Sequence, residues 1–222
     1  MANYKDHYNK ILSIPLEEFY MLAALGGLKQ VYGFKYDINN FSKEDMLRIL
    51  LHLADKKILT VTDNRFECCD EYKEVLSYLK YSRKIIEIKS SVKGCPACIC
   101  YLGKDILVTR VSSVNYKRVL IHRRKYEHLC EYIYRAGYID GLWSVFDEEE
   151  SDGKEEIILD IKCIEIVSNY VTASIKIKKI SRGNFILYDC DGNEICCEFS
   201  RRRLETYIKS ICEIPPENAG II

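Results

Sequence analysis

The sequence predicts an α+β protein with a winged-helix-like N-terminal part and two quasi-symmetric repeats, each made of antiparallel strands closed by a helix. Two observations predict this fold class. The stretch KIIEIKS at residues 84–90 recurs as KCIEIVS at residues 162–168, an offset of 78 positions. Three further identities at the same offset pair Ile99 with Ile177, Arg124 with Arg202 and Glu127 with Glu205. The second observation is the order helix, helix, hairpin, helix at the front, which is the outline of a winged-helix module.

The N-terminal part, residues 1–83, follows from helical periodicity and turn chemistry. Pro15 is suited to the start of the first helix, and Ser42 with Asp45 three residues later caps the second. The predicted elements are helices over residues 16–28, 42–57 and 70–81 and a hairpin over residues 58–66. Apolar residues at helical spacing are expected on the inner face of the second helix: Met46, Leu47, Ile49, Leu50, Leu53 and Ala54.

The two strand-rich repeats occupy residues 84–137 and 138–222. In the first, strands are predicted over residues 85–88, 99–102, 106–111 and 118–121, and a helix over residues 123–136. In the second, strands are predicted over residues 156–167, 171–177, 185–189 and 195–199, and a helix over residues 200–212. The two repeats are expected to pair around an approximate two-fold axis, so that all three parts form one compact unit with a central antiparallel sheet.

Composition and charge exclude several classes of protein. The chain has 222 residues, 48% of them hydrophobic, which excludes an extended disordered protein. Lys plus Arg equal Asp plus Glu at 33 each, which argues against a surface that binds polyanions throughout. The first ten residues do not resemble a signal peptide, and the longest early apolar run, residues 19–28, is about half the ~20 residues of a membrane helix. We therefore expect a cytoplasmic protein without membrane insertion, whose 11 cysteines are reduced thiols.

Cys95 and Cys98 form a CxxC motif, which is typical of zinc sites and of redox sites. A structural zinc ion needs four ligands, usually from two such pairs, whereas the cysteines at residues 68–69 and 196–197 are adjacent and do not easily point at one metal. A redox motif places its first cysteine at a helix N-terminus, whereas a strand follows here. The motif is interpreted as a turn entering a strand, and no metal or cofactor is expected.

The sequence contains no recognisable set of catalytic side chains. The four histidines are His7, His52, His122 and His128, and none has a serine, cysteine or carboxylate at a triad spacing. Residues 147–153 resemble a calcium loop in composition, but the glycine is seventh rather than sixth and the bidentate glutamate is missing, so a solvated linker is the favoured interpretation. The prediction is a protein that is not an enzyme.

Two groups of residues are candidates for binding a partner. The first is an apolar stretch that contains Leu142, Trp143, Val145 and Phe146. Such large apolar residues are either tucked into the core or presented to a partner. The second is the basic triplet Arg201, Arg202 and Arg203, which is placed like the triplet at residues 123–125. Both triplets are expected at helix N-termini. Each is either a solvated helix end with salt bridges along the helix, or a face that binds anionic groups of an acidic protein or RNA.

The winged-helix outline also raises DNA binding. The helix before the wing, residues 42–57, would enter the major groove. Its predicted exposed face mixes lysines with Glu44, Asp45 and Asp55, and Glu67 follows the wing tip. These carboxylates would repel phosphates, so nucleic acid is not the expected partner.

The chain resembles the EspG family of type VII secretion chaperones and its EsaE-like relatives in low-GC Gram-positive bacteria. The resemblance lies in LEEF at residues 16–19 leading to LGG at residues 25–27, in the helix and hairpin of residues 42–67, and in the two strand-rich halves. It covers about residues 12–212. It implies a cytosolic protein without enzymatic activity that binds a helical secretion substrate and keeps it soluble.

A protein-binding adaptor or secretion chaperone, acting as a monomer or a homodimer, is therefore the expected function. The alternative is a winged-helix transcription regulator whose C-terminal part senses a ligand or dimerises. The mixed charge of the helix at residues 42–57 favours the adaptor.

Overall fold

The computed structural model describes residues 10–35, 40–62, 65–91, 95–138, 156–181, 184–189, 191, 193–196 and 201–212. It confirms the α+β class. The strands are β1 (Ile11–Pro15), β2 (Leu59–Thr62), β3 (Arg65–Cys68), β4 (Lys84–Ser90), β5 (Cys98–Leu102), β6 (Ile106–Val111), β7 (Arg118–Arg124), β8 (Glu156–Glu165), β9 (Tyr170–Ser181), β10 (Asn184–Tyr188) and β11 (Glu194–Cys196). The helices are α1 (Leu16–Leu25), α2 (Lys43–Asp55), α3 (Asp70–Tyr81), α4 (Leu129–Arg135) and α5 (Arg201–Cys212).

One antiparallel sheet of nine strands organises the molecule, in the order β1-β7-β6-β5-β4-β8-β9-β10-β11. The two copies of the repeated stretch, β4 and β8, lie side by side at its centre, paired from Lys84 with Glu165 to Ser90 with Leu159. On one side of this pair β5, β6 and β7 follow in sequence order and β1 is added at the edge, and on the other side β9, β10 and β11 follow in sequence order. A helix comes after β7 and another after β11 in the chain. None of the helices in the described ranges is long and apolar enough to cross a membrane.

A single offset does not relate the two halves of the sheet. Because Ile85 pairs with Tyr101, an offset of 78 would pair Cys163 with Lys179. The structure pairs Cys163 with Ala173 instead, six residues earlier. The physical reason is loop length: residues 166–169 form a tight turn between β8 and β9, whereas residues 91–97 connect β4 to β5. The gapless repeat is therefore wrong beyond the first strand of each half.

Helices pack on both faces of the sheet, which explains why its central strands are apolar on both sides. Face A, which contacts α1, α2 and α3, is defined by the buried side chains of Ile85, Ile99, Tyr101, Leu107, Val119 and Ile121. Face B, which contacts α4 and α5, is defined by those of Ile86, Ile88, Cys98, Cys100, Ile106 and Val108. The N-terminal part thus shares its core with face A.

The N-terminal part contains α1, α2, the β2–β3 hairpin and α3 in the predicted order, and its winged-helix character stays a prediction. Ser42 caps α2 as expected, its hydroxyl accepting the Asp45 N–H at 3.0 Å. Strand β1 was not predicted. It pairs with β7 at the edge of the sheet and buries Ile14 in the core of face A. Pro15 is tolerated at the end of β1 because a residue on an edge strand can lack the backbone N–H that would donate to a neighbouring strand.

Candidate functional site

Of the two predicted groups of binding residues, one lies within the described residues and one lies outside them. Leu142, Trp143, Val145 and Phe146 lie outside the described residues. Arg201, Arg202 and Arg203 form the first turn of α5, and the side chains of Arg202 and Arg203 are exposed. Leu204 and Ile208 of the same helix are buried against face B. Whether either group binds a partner stays a prediction.

The other basic triplet, residues 123–125, does not begin a helix. Arg123 and Arg124 are the last two residues of β7, and α4 begins only at Leu129, after a short 3-10 helix over Tyr126–His128. Since strand side chains alternate between faces, the two arginines point to opposite sides of the sheet. The expectation of two equivalent basic helix ends is therefore wrong.

Arg123 lies on face A and is neutralised by two carboxylates. Its Nη1 donates to Glu74 Oε1 at 2.5 Å and its Nη2 to Asp105 Oδ2 at 2.6 Å. Its guanidinium carbon is 5.9 Å from the centre of the Tyr78 ring. The Tyr78 hydroxyl in turn accepts the Asp105 N–H at 3.2 Å. Arg123 therefore ties α3 to the sheet and is not available to an incoming anion.

Arg124 lies on face B, in a group that we call the arginine–tyrosine cluster: Arg110, His122, Arg124, Tyr132 and Tyr138. In the register of β6 and β7, Arg110 lies diagonally across from His122, and Arg124 follows His122 on the same face. Tyr132, from α4, has its ring centre 4.9 Å from that of His122 and 5.9 Å from the Arg124 guanidinium carbon. The Tyr138 ring centre is 6.4 Å from that of Tyr132. Two strands and α4 thus bring two arginines to one buried histidine.

The cluster combines burial with unpaired hydrogen-bonding atoms. His122 is 4% exposed and Tyr132 is 8% exposed. Both ring nitrogens of His122, the Nε atoms of Arg110 and Arg124 and the Tyr132 hydroxyl have no hydrogen-bond partner in the described part of the chain. Burial, Arg124 and Arg110 lower the pKa of His122 to about 3, so the imidazole is neutral at physiological pH. Burial also raises the pKa of Tyr132, which keeps its hydroxyl protonated.

Four other arginines have polar side-chain partners in the described chain. Those that form ion pairs are Arg48, Arg123 and Arg135. Arg118, on the same face of β7 as Arg124, donates from Nε to Ser13 Oγ at 2.8 Å and from Nη2 to Ser13 O at 2.6 Å. Sequence reasoning missed the cluster, although the alternation of Arg118, His122 and Arg124 with apolar residues would have indicated one polar face of a strand.

A second candidate site consists of two pairs of exposed apolar side chains on consecutive elements of the N-terminal part, which together we call the α2–hairpin surface. Leu47 and Leu51, one helical turn apart on α2, are 60% and 56% exposed. Val61 and Phe66, which are cross-strand partners in the β2–β3 hairpin, are 64% and 46% exposed. These four residues present large apolar side chains on two consecutive elements of regular structure.

The expectation that Leu47 lies on the inner face of its helix is wrong. Helix α2 buries Ile49 and Leu53, one turn apart, and this pair sets the direction of its core-facing side. Leu47 is about 160° around the helix from Ile49, since successive residues rotate by about 100°. More apolar residues were available than one side of a helix can bury, so Leu47 is left at the surface.

The described residues around the CxxC motif do not form a metal-binding arrangement. The Cys95 thiol donates to the Gly137 carbonyl at 3.3 Å, and the buried Cys98 sulfur lies 3.7 Å from that of Cys100. Within the described ranges, no three His, Cys, Asp or Glu side chains are arranged to hold a metal ion. Burial raises the pKa of the Cys95 thiol, the opposite of what a redox cysteine needs.

Elemental analysis of the purified protein is expected to find no stoichiometric zinc, because Cys95 and Cys98 lack a second pair of ligands. Cys98→Ser should leave the metal content unchanged. One zinc ion per chain that is lost in Cys98→Ser would contradict this prediction.

A comparison of the chain with protein-family models and with curated proteins finds no match.

Proposed function

We propose that this protein is a cytoplasmic adaptor without enzymatic activity, which binds a helical segment of another protein. This is the function that the resemblance to type VII secretion chaperones implies. The observation that carries the proposal is the α2–hairpin surface, with four large apolar side chains that are between 46% and 64% exposed.

Exposed leucines one turn apart are suited to a helical partner. Leu47 and Leu51 lie on one side of α2 and can pack against the apolar stripe of a second helix, while Val61 and Phe66 offer a second contact. An amphipathic helix docks on such a surface through apolar anchors that repeat every three or four residues. The described cysteines are free thiols, in keeping with a reducing compartment.

The contacts of α2 weigh against the alternative of a transcription regulator. Arg48 is held by Glu17 at 3.2 Å and by Asp45 at 3.4 Å, so its charge is partly neutralised within the protein. The neighbouring Leu47 and Leu51 offer no hydrogen bonds to phosphates or bases. Salt-sensitive binding of duplex DNA with a preference for one sequence would favour the regulator instead.

The double substitution Leu47→Glu and Leu51→Glu is expected to abolish partner binding while leaving the fold intact. Glutamate is a good helix former at an exposed position, so the thermal midpoint should change little. Each leucine that anchors the partner should contribute about 2 kcal/mol to binding. The measurement is affinity capture from the native cell, in which the amount of each co-purifying protein is compared between the double variant and the wild type.

The matched control is Val114→Glu with Val167→Glu, since these valines are 94% and 90% exposed but lie outside the α2–hairpin surface. The control should retain every partner of the wild type. Equal recovery with the leucine variant and the wild type would exclude this surface as the binding site. Loss of self-association alone would identify the surface as a homodimer interface.

A further inference from the structure

The arginine–tyrosine cluster carries positive charge without a matching negative charge on its face of the sheet. Face B of the three strands at this edge contains three arginines, one histidine and no carboxylate. The residues that register and alternation place there are Ile11, Ser13 and Pro15 of β1, Ile106, Val108 and Arg110 of β6, and Arg118, Leu120, His122 and Arg124 of β7. The guanidinium of Arg118 is hydrogen-bonded to Ser13, whereas Arg110 and Arg124 each keep an Nε–H that has no partner among the described residues.

The unpaired atoms of the cluster are mostly donors. Within the described ranges, Arg110 and Arg124 each have a buried Nε–H without an acceptor, and the Tyr132 hydroxyl and one His122 ring nitrogen add two further donors. Buried polar groups in folded proteins are seldom left unpaired, and those that are unpaired call for a water molecule or an ion. A water molecule could satisfy some of these donors, but it would not balance two guanidinium charges.

The electrostatics point in the same direction. Arg110 and Arg124 contribute to keeping His122 neutral, so the site holds two positive charges rather than three. Both arginine side chains are only partly buried, which leaves them within reach of a solute. Planar guanidinium groups are the side chains best suited to phosphate oxygens.

We propose that the cluster binds the dianionic phosphate group of a small phosphomonoester or of free phosphate. Arg110 and Arg124 hold the group from two neighbouring strands, and their two charges match its two. Tyr132 and His122 donate to its remaining oxygens from the buried side. The site lies on face B, whereas the α2–hairpin surface belongs to the part of the chain that packs on face A, so phosphate binding does not depend on the proposed protein partner.

The test is a calorimetric titration of the full chain with inorganic phosphate in a chloride buffer, followed by glycerol phosphate and acetate at the same ionic strength. Saturable binding of inorganic phosphate and no saturable binding of acetate are expected. Tighter binding of glycerol phosphate would identify an ester as the source of the group, and equal or weaker binding would identify free phosphate. Arg110→Gln and Arg124→Gln should each weaken phosphate binding about tenfold.

Arg135→Gln is the matched control, because Arg135 is exposed on α4 and pairs with Glu131 at 2.6 Å. It removes the same charge and should leave phosphate binding unchanged. If Arg135→Gln weakened phosphate binding as much as Arg110→Gln and Arg124→Gln do, the loss would be due to non-specific electrostatics, and the proposal would be overturned. Acetate binding as tight as that of phosphate would also overturn it.

Tyr132→Phe keeps the test decisive even where an arginine variant fails to fold. It removes one unpaired buried hydroxyl, so the thermal midpoint without phosphate should stay the same or rise. Phosphate binding should nevertheless weaken about fivefold, a combination that a purely structural tyrosine would not show. Unchanged phosphate binding in Tyr132→Phe would contradict the assigned geometry.

Discussion

Replacing Lys56 with methionine is expected to lower the free energy of unfolding by about 3 kcal/mol, because it strips a buried carboxylate of its cation. Glu18 of α1 is 2% exposed, and its Oε1 accepts from Lys56 Nζ at 2.5 Å. Its Oε2 has no hydrogen-bond partner in the described part of the chain. The measurement is urea unfolding of Lys56→Met and of the wild type at pH 7.

Lys73→Met is the matched control. Lys73 pairs with the fully exposed Asp70 at 3.5 Å, and a surface pair of this kind contributes about 0–1 kcal/mol. The double variant with Glu18→Met and Lys56→Met should recover most of the loss, since an apolar pair of similar volume replaces the ion pair. Equal costs for Lys56→Met and Lys73→Met would show that burial of Glu18 does not govern the interaction.

Acidification from pH 6.5 to pH 5 is expected to lower the free energy of unfolding by about 1.6 kcal/mol through His122 alone. The pKa of this histidine is about 3 in the folded protein, below its ordinary value of 6.5, mainly because of burial. Below pH 6.5 the unfolded chain binds a proton that the folded chain does not. Stability therefore falls as the pH falls from about 6.5 towards about 3, and this loss is absent above the unfolded pKa.

His122→Phe should flatten this part of the pH dependence, measured as the difference in unfolding free energy from the wild type across pH 5–7. His128→Phe is the control, because His128 is an exposed histidine beside Glu127 and Glu131 and its removal leaves the buried imidazole in place. An acid slope that survives in His122→Phe and disappears in His128→Phe would refute the assignment to His122.

The sequence by itself determined the elements whose periodicity and caps are local. Helix α3 and strand β6 have the predicted bounds, residues 70–81 and 106–111. Ser42 caps α2 through a contact three residues away. Such signals are readable because a helix or a strand repeats its contacts over a few neighbouring residues, whatever the rest of the chain does.

The tertiary structure decided the features that depend on residues far apart along the chain. Strand β1 exists because β7, more than 100 residues later, supplies its ladder partners. The spacing of apolar residues predicted a helix from Arg123, but Arg123 continues β7 instead. Its guanidinium is held on face A by Glu74 and Asp105. The arginine–tyrosine cluster likewise arises from cross-strand register and the packing of α4. Which strand a segment pairs with, and which of its side chains are buried, depends on residues that are distant in the sequence. The spacing of apolar residues within the segment carries no information about those distant residues.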